Sequence, residues 1–224
     1  MNTPTSLYHD LICRRCTQAS RQWWESVFAE LTQSFSKDAF AKSYTRAARM
    51  LGSSPLACDP DEVRRLSSFG FPLYEGRALH ELGRTVLLLC AAEGLKADEQ
   101  TEFVDGLYAR GDNAEREALL RALPLLSDPD RFLATAVEAC RSNVQTVFEA
   151  IACENPYPVR YFPELPFNQM VMKAIFIGMP LRRIEGLATR IVPALVRMAG
   201  DCVKERTAAG RPVPEDIQLI TSGG

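Results

Sequence analysis

The side chains best suited to chemistry surround a proline-rich segment, residues 152–169. A line of polar side chains at four-residue spacing precedes this segment, and a polar pair at the same spacing follows it, so each set lies on one face of a helix. Tyrosines, an arginine and an amide lie between the two sets. Together they predict a concave polar pocket with an aromatic rim, a common form of ligand site. The predicted ligand-binding residues are Arg141, Gln145, Glu149, Asn155, Tyr157, Arg160, Tyr161, Asn168, Gln169 and Lys173.

The four prolines of this segment predict a rigid connection. Proline has no backbone N–H, and it holds itself and the residue before it in extended conformations. We therefore expect Pro156, Pro158, Pro163 and Pro166 to form a stiff loop that sets the distance between two helices. A purely structural interpretation stays open beside this one, in which Asn168 caps the following helix and the preceding polar line is an exposed ladder.

The histidines and cysteines offer little further chemistry. His9, Cys13 and Cys16 recur at i, i+4 and i+7, which places three possible metal ligands on one helix face. However, no second ligand pair stands at a matching distance, and cysteine is also a common buried residue. His80 is more typical of a hydrogen-bonded structural residue than of a catalyst. Phosphate-loop, nucleophile-elbow and zinc-protease motifs are all absent. The sequence therefore predicts neither a metal site nor a cofactor.

Composition argues against several classes of function. The 224 residues carry a formal net charge of -2, whereas nucleic-acid-binding proteins usually have a basic surface. The longest apolar run, from Val86 to Ala92, is far shorter than the roughly 20 residues that cross a bilayer. The N-terminus lacks the pattern of a secretory signal, and the seven scattered cysteines do not indicate a disulfide framework. We expect a cytoplasmic protein without direct membrane insertion.

The elements that position the candidate site are predicted to be helices. Helical periodicity runs along almost the whole chain, and no alternating stretch bounded by turns indicates a strand. The sequence predicts an all-α protein, either an irregular solenoid of helical hairpins of the HEAT or armadillo type or a compact multi-helix bundle. The predicted helices cover residues 6–34, 37–51, a short stretch from Asp59-Pro60, 77–94, 98–111, 112–126, 127–155, 167–178 and one or two helices within 186–210.

These helices predict one domain over residues 1–210, followed by a flexible tail over 211–224 that contains two prolines and terminal glycines. The predicted parts of the domain are N-terminal helices over 1–52, a packed linker over 53–76 and a core over 77–210. The apolar residues that indicate a packed linker are Phe69, Phe71, Leu73 and Tyr74.

The longest distinctive motif is SNVQTVFEAIACENPYPVRYFPELPFNQMVMKAIFIGMPLRRIEGL, preceded by DNAEREALLRALPLL and followed by AAGRPVPEDI. This combination resembles the EboA family, over roughly residues 77–217 and more weakly over the N-terminal third. The family is associated with the Ebo gene clusters, so the resemblance implies a role in making or moving a small metabolite. It assigns no catalytic residue.

The residues and the resemblance together leave two classes of function. In the first, the chain is a non-enzymatic binding or scaffold protein of a metabolite biosynthesis or traffic pathway, with its ligand or partner near residues 152–169. In the second, it is an enzyme acting on a prenylated or cyclitol-like intermediate. Its acid or base would then be Glu149, with Lys173 and Arg141 holding an anionic group and Tyr161 orienting it. The partners that the resemblance implies are a small-molecule metabolite and other proteins of the Ebo cluster, including a membrane prenyltransferase.

Overall fold

A computed structural model describes residues 3–68 and 76–221 of the chain. Across these residues it contains thirteen α-helices, several short 3-10 turns and no β-strand. The predicted all-α fold is therefore confirmed, while the choice between a solenoid and a bundle stays a prediction. Contacts between Cα atoms group the chain into two compact units, unit 1 (Met1–Thr135) and unit 2 (Ala136–Gly224). The predicted single domain over 1–210 also stays a prediction.

Unit 1 contains seven complete helices, and the division between the units falls within the eighth. The helices are α1 (Pro4–Arg15), α2 (Gln18–Gln33), α3 (Lys37–Leu51), α4 (Pro60–Ser68), α5 (Leu79–Gly94), α6 (Ala97–Arg110), α7 (Asn113–Ala122) and α8 (Leu133–Cys140). Unit 2 continues with α9 (Gln145–Ala152), α10 (Tyr157–Tyr161), α11 (Glu164–Ile177), α12 (Pro193–Ala208) and α13 (Gln218–Thr221). No helix of the described residues is long and apolar enough to cross a membrane.

The predicted helix starts are confirmed at two aspartates. The Asp59 carboxylate accepts hydrogen bonds from the backbone N–H groups of Asp61 and Glu62, at 2.9 and 2.8 Å, at the start of α4. At the start of α7, the Asp112 carboxylate accepts from the Glu115 N–H at 2.8 Å, and the Glu115 carboxylate accepts from the Asp112 N–H at 3.1 Å. These bonds satisfy backbone donors that have no partner inside the helix.

The core of unit 1 is built around α5, which packs against α1, α2, α3 and α7. Its side chains are buried on nearly every side, and Leu82, Val86 and Leu87 are fully buried. Gly83 allows α3 to approach closely, because a Cβ atom at this position would lie 2.2 Å from Leu51 Cδ1. A helix that is buried on nearly every side belongs in the interior of a protein.

Two helices predicted as continuous are each broken into two. The predicted helix over 6–34 consists of α1 and α2, because the Thr17 hydroxyl accepts from the Ser20 N–H at 3.3 Å and starts a new helix. The predicted helix over 127–155 begins with a 3-10 turn and is then interrupted between α8 and α9. At that interruption the Ser142 hydroxyl accepts from the Val144 N–H at 3.1 Å, an alternative to the helical bond. Both predictions of a continuous helix were wrong. The breaks were not predicted because neither contains glycine or proline.

The proline-rich segment is also different from the prediction. It is not an extended loop, because α10 lies within it and α11 begins at Glu164. Pro158 lies in the first turn of α10, and Pro163 directly precedes α11. Proline is favoured at the start of a helix, where its missing N–H would have no intrahelical partner. The prolines therefore start helices here, and Phe162, the residue before Pro163, is extended as expected.

Two further expectations concern the linker and the tail. Phe69, Phe71, Leu73 and Tyr74, which indicate a packed linker, lie outside the described residues. Within the tail, a 3-10 turn and α13 place Ile217 and Ile220 among the buried residues, at 5% and 0% exposure. The flexibility of residues 211–224 stays a prediction, and the Discussion describes a variant that tests it.

Candidate functional site

A cleft in unit 2 brings three of the predicted residues together. It lies between the end of α8, the turn that follows it and one face of α11, and its volume is about 470 Å³. Small-molecule sites typically occupy roughly 300–1,000 Å³. The residues that line it define the α8–α11 cleft and are Val137, Cys140, Arg141, Asn143, Pro166, Gln169, Met170, Lys173, Phe176 and Ile177. Of these, Arg141, Gln169 and Lys173 are predicted from the sequence.

Lys173 holds the two sides of the cleft together. Its Nζ donates hydrogen bonds to the backbone carbonyls of Cys140, at 2.7 Å, and Ser142, at 2.6 Å, and lies 4.5 Å from the centre of the Phe148 ring. A cation is favoured at the C-terminal end of a helix, where the carbonyls have no intrahelical partner. Burial lowers the pKa of Lys173, and it raises the pKa of the neighbouring Cys140 thiol to about 12.

Arg141 is the more accessible cation of the cleft. The break between α8 and α9 places it in a turn rather than on a helix shared with Gln145. Its side chain is 69% exposed, and its Nη1 donates to the Glu138 carboxylate at 3.1 Å. An ion pair this exposed contributes little to stability. Arg141 is therefore free to exchange this carboxylate for another anion, and the predicted polar line through Arg141, Gln145 and Glu149 does not exist as one helix face.

Glu149 and Gln145 belong to a different cluster, built around Arg183. The Glu149 carboxylate accepts from Gln145 Nε2 at 2.7 Å and from Arg183 Nη1 at 2.9 Å. Arg183 also holds Glu154 with two parallel bonds, at 2.8 and 3.1 Å, and its backbone carbonyl accepts from the Glu154 N–H at 2.8 Å. The hydrogen bond to Glu154, and then that to Glu149, raise the pKa of Arg183. Both oxygens of the Glu149 carboxylate are thus engaged.

This cluster also holds an unusual backbone conformation. Glu154 has a φ of +46°, in the left-handed region that side chains other than glycine rarely adopt. The paired side-chain and backbone bonds to Arg183 offset the cost of this conformation. The turn between α9 and α10 is therefore fastened to the 3-10 turn Leu181–Arg183.

We expect Arg183→Met to lower the free energy of unfolding by about 1–2 kcal/mol. The Glu149 and Glu154 carboxylates both lose their hydrogen bonds to the Arg183 guanidinium, which is only partly exposed to solvent. Urea unfolding followed by circular dichroism measures the change. Its neighbour Arg182 is exposed, so Arg182→Met is the matched control and should change stability by less than about 0.5 kcal/mol. Equal losses in the two variants would contradict a stabilising role for the cluster.

Four predicted residues of the proline-rich segment, Asn155, Tyr157, Arg160 and Tyr161, lie outside the cleft-lining set. Asn155 is buried, donates to the Ala150 carbonyl at 2.9 Å and accepts from the Tyr157 N–H at 2.9 Å. The Tyr157 ring is fully buried and lies 4.8 Å from that of Tyr161, centre to centre. Arg160 is exposed to solvent. Asn155 and Tyr157 thus shape the turn into α10. That these four residues take part in ligand binding stays a prediction.

Asn168 lies in the second turn of α11, so the interpretation that it caps this helix is wrong. Pro163 occupies the cap position, and no side chain accepts a hydrogen bond there. Asn168 is 3% exposed, and its Oδ1 has no hydrogen-bond partner in the part of the chain that the structure describes. It is not among the cleft-lining residues, and its role in binding stays a prediction.

The cleft contains apolar residues that the sequence analysis did not select. Phe176 and Ile177 are 77% and 42% exposed, although large apolar residues are usually buried. A signal was present, because Gln169, Lys173 and Phe176 follow each other at helical spacing on one face. Asn143 carried no such signal, because it lies in the break between α8 and α9, which the sequence analysis did not predict.

The cluster at the end of α1 does not form a metal site. His9 Nε2 lies 3.5 Å from Cys13 Sγ, but no three His, Cys, Asp or Glu side chains of the described residues are grouped in a way that could hold a metal ion. Burial and the Glu25 charge raise the pKa of the Cys13 thiol to about 11. The His9 ring instead stacks on Phe28, 4.0 Å between centres.

Comparison with known proteins gives one match. A family model described as "Metabolite traffic protein EboA" matches residues 4–221. This range includes all but three residues of each compact unit and every residue that lines the α8–α11 cleft. No curated protein and no solved structure matches the chain significantly.

Proposed function

Because the chain belongs to the EboA family of metabolite traffic proteins, we propose that it is a non-enzymatic binding protein of a small-metabolite pathway and holds the metabolite in the α8–α11 cleft. The observation that carries this proposal is the cleft itself. It combines a suitable volume with a lining of apolar side chains, two cations and two amides. A few polar groups in an apolar concave surface are typical of small-molecule sites.

The chemistry of the lining favours binding over catalysis. The Cys140 thiol, with a pKa near 12, stays protonated at neutral pH, whereas a nucleophilic cysteine must be a thiolate. The Lys173 ammonium is bonded to two backbone carbonyls. Among the described residues, no carboxylate and no histidine lines the cleft. These groups can hold and orient a ligand without transferring a proton to it.

The enzymatic alternative depends on Glu149. This residue lies outside the cleft-lining set, and both of its carboxylate oxygens accept hydrogen bonds. The bonds favour a structural role, and Glu149→Gln should therefore leave the pathway product unchanged. A cytoplasmic location, and other proteins of the Ebo cluster that deliver or receive the metabolite, remain parts of the proposal.

Filling the cleft is expected to abolish function without unfolding the chain. Gln169 is exposed on α11 and lines the cleft, so Gln169→Trp places a large ring inside it. The matched control is Leu165→Trp, on the same helix, 63% exposed and outside the lining. In a strain that lacks the chain's gene, the control should restore the final metabolite and Gln169→Trp should not. Full restoration by a folded Gln169→Trp would overturn the proposed site.

A further inference from the structure

We infer that the α8–α11 cleft takes an amphiphilic anion, a small molecule with an apolar body about as long as a ten-carbon chain and one anionic group such as a phosphate or carboxylate. This inference rests on the proposed function, and it adds the chemical class of the ligand. Three features of the cleft carry it: its exposed apolar wall, the two cations in its lining and its length.

The apolar wall is formed by the end of α11. Phe176 and Ile177 are two of the four large hydrophobic residues with substantial exposure in the described chain. They are consecutive, and both face a cleft that also contains Met170 and Val137. Exposed apolar side chains that are grouped in a concave surface mark a binding site more often than those scattered singly. This wall would bury the apolar body of a ligand.

The positive charge comes from Arg141 and Lys173. None of the described lining residues is acidic, and Arg141 is paired with Glu138, a residue outside the lining. The Lys173 ammonium has three N–H donors and uses two of them on the carbonyls of Cys140 and Ser142, which leaves one for a ligand. Arg141 offers a planar fork of donors that matches phosphate and carboxylate groups, and its bond to Glu138 is exposed and weak.

The length of the cleft follows from its positions on α11. Lining residues occur between Pro166 and Ile177, which are eleven helical steps apart, and this corresponds to about 16 Å along a helix with a rise of 1.5 Å per residue. Lys173 lies near the end that carries Phe176, and Gln169 lies one turn before it. A ligand lying along this face can therefore contact the apolar wall and the cations at once.

The test is isothermal titration calorimetry of the full chain with four probes, with the charged amphiphiles kept below their micelle concentrations. These probes are decyl phosphate, decylammonium, decan-1-ol and inorganic phosphate. We expect decyl phosphate to bind at least about tenfold more tightly than the other three, because a charge-assisted hydrogen bond in such a site is worth about one factor of ten or more. Equal or tighter binding of decan-1-ol or decylammonium would overturn the predicted class of ligand.

Variants then locate the binding. Phe176→Ser should weaken decyl phosphate about tenfold, and Arg141→Gln should reduce its advantage over decan-1-ol to a few-fold. Leu219→Ser removes an exposed apolar residue, and Arg197→Gln removes an exposed cation, both outside the cleft; neither should change the affinity. If Leu219→Ser lowers the affinity for decyl phosphate and Phe176→Ser does not, the binding site lies outside the cleft and the inference is overturned.

The two proposals can fail separately. If Gln169→Trp abolishes the pathway product but decyl phosphate binds no better than decan-1-ol, the cleft is the functional site and the inferred ligand class is wrong. If Gln169→Trp supports full pathway output, the proposed function of the cleft is wrong. A decyl phosphate affinity that depends on Phe176 and Arg141 would still establish that the cleft prefers an amphiphilic anion. If no probe binds, the inferred class of ligand is overturned.

Discussion

Glu115→Ala is expected to lower the free energy of unfolding of unit 1 by about 3–5 kcal/mol, the cost of removing one partner from a buried ion pair. Arg84 is 2% exposed, and its Nη2 lies 3.9 Å from the Glu115 carboxylate. Its Nε donates to the Tyr44 carbonyl at 3.1 Å, and its Nη1 is buried without a hydrogen-bond partner among the described residues. Glu115 therefore supplies the nearby negative charge for the Arg84 guanidinium, whose Nη1 has no hydrogen-bond partner among the described residues.

Glu115 has further structural bonds, which alanine would also remove. Its carboxylate accepts from the Thr45 hydroxyl at 2.8 Å and from the Asp112 N–H at 3.1 Å, so it connects α3 to α7 and completes the capping box of α7. Loss of a helix cap alone typically costs about 1 kcal/mol. Its backbone carbonyl accepts from the Tyr44 hydroxyl at 2.8 Å, a bond that the substitution leaves in place.

A double variant separates the buried charge from the other bonds. Glu115→Gln keeps the size of the side chain but removes its charge, and it should leave Arg84 as an uncompensated buried cation. Arg84→Met combined with Glu115→Gln should then be more stable than Glu115→Gln alone, because an apolar side chain of similar size carries no desolvation cost. If adding Arg84→Met causes a further loss instead, the charge of Arg84 is not what makes Glu115 necessary.

Tryptophan fluorescence in urea follows unit 1 specifically, because both tryptophans of the chain, Trp23 and Trp24, lie in α2. The matched control is Glu102→Gln, at an exposed position of α6. It should change the unfolding free energy by less than about 0.5 kcal/mol. A Glu115→Ala effect as small as that of the control would contradict the importance of the buried pair.

Ile220→Ala is expected to lower the stability of unit 2 by about 2–5 kcal/mol, the usual cost of truncating a buried isoleucine. Ile220 is fully buried, and α13 packs against α12. The segment before α13 is also attached, because the Asp216 carboxylate accepts a hydrogen bond from the Leu181 N–H. These contacts favour a docked end of the chain over the flexible tail that the prolines and glycines predict.

The neighbouring residue gives a matched control for this test. Leu219 is 49% exposed on the same short helix, so Leu219→Ala should cost less than about 1 kcal/mol. Urea unfolding followed by circular dichroism measures both variants, and removal of residues 211–224 should destabilise unit 2 at least as much as Ile220→Ala. If the truncated chain and Ile220→Ala both unfold like the parent, the tail is flexible as predicted from the sequence.

The candidate site could be predicted only in part. Gln169 and Lys173 are four residues apart on one helix, so their shared face follows from the helical period alone. The position of Arg141 could not be predicted in the same way, because the expected helix ends just before it, at Cys140. The residues that hold this break include Lys173, whose ammonium bonds the carbonyls of Cys140 and Ser142 more than thirty residues earlier in the chain. A local pattern does not show such a bond.

What the sequence alone determined are the features that depend on neighbouring residues. The all-α fold, the apolar helix α5 and the caps at Asp59 and Asp112 all follow from spacing within a few positions, since helical bonds connect residues four apart. The tertiary structure alone decided which polar groups meet. Arg84 and Glu115 are paired across two helices, Glu149 is bonded to Arg183, and Ile220 is buried. These outcomes depend on the packing of distant segments, because burial and charge compensation are properties of the surroundings of a side chain rather than of its position in the chain.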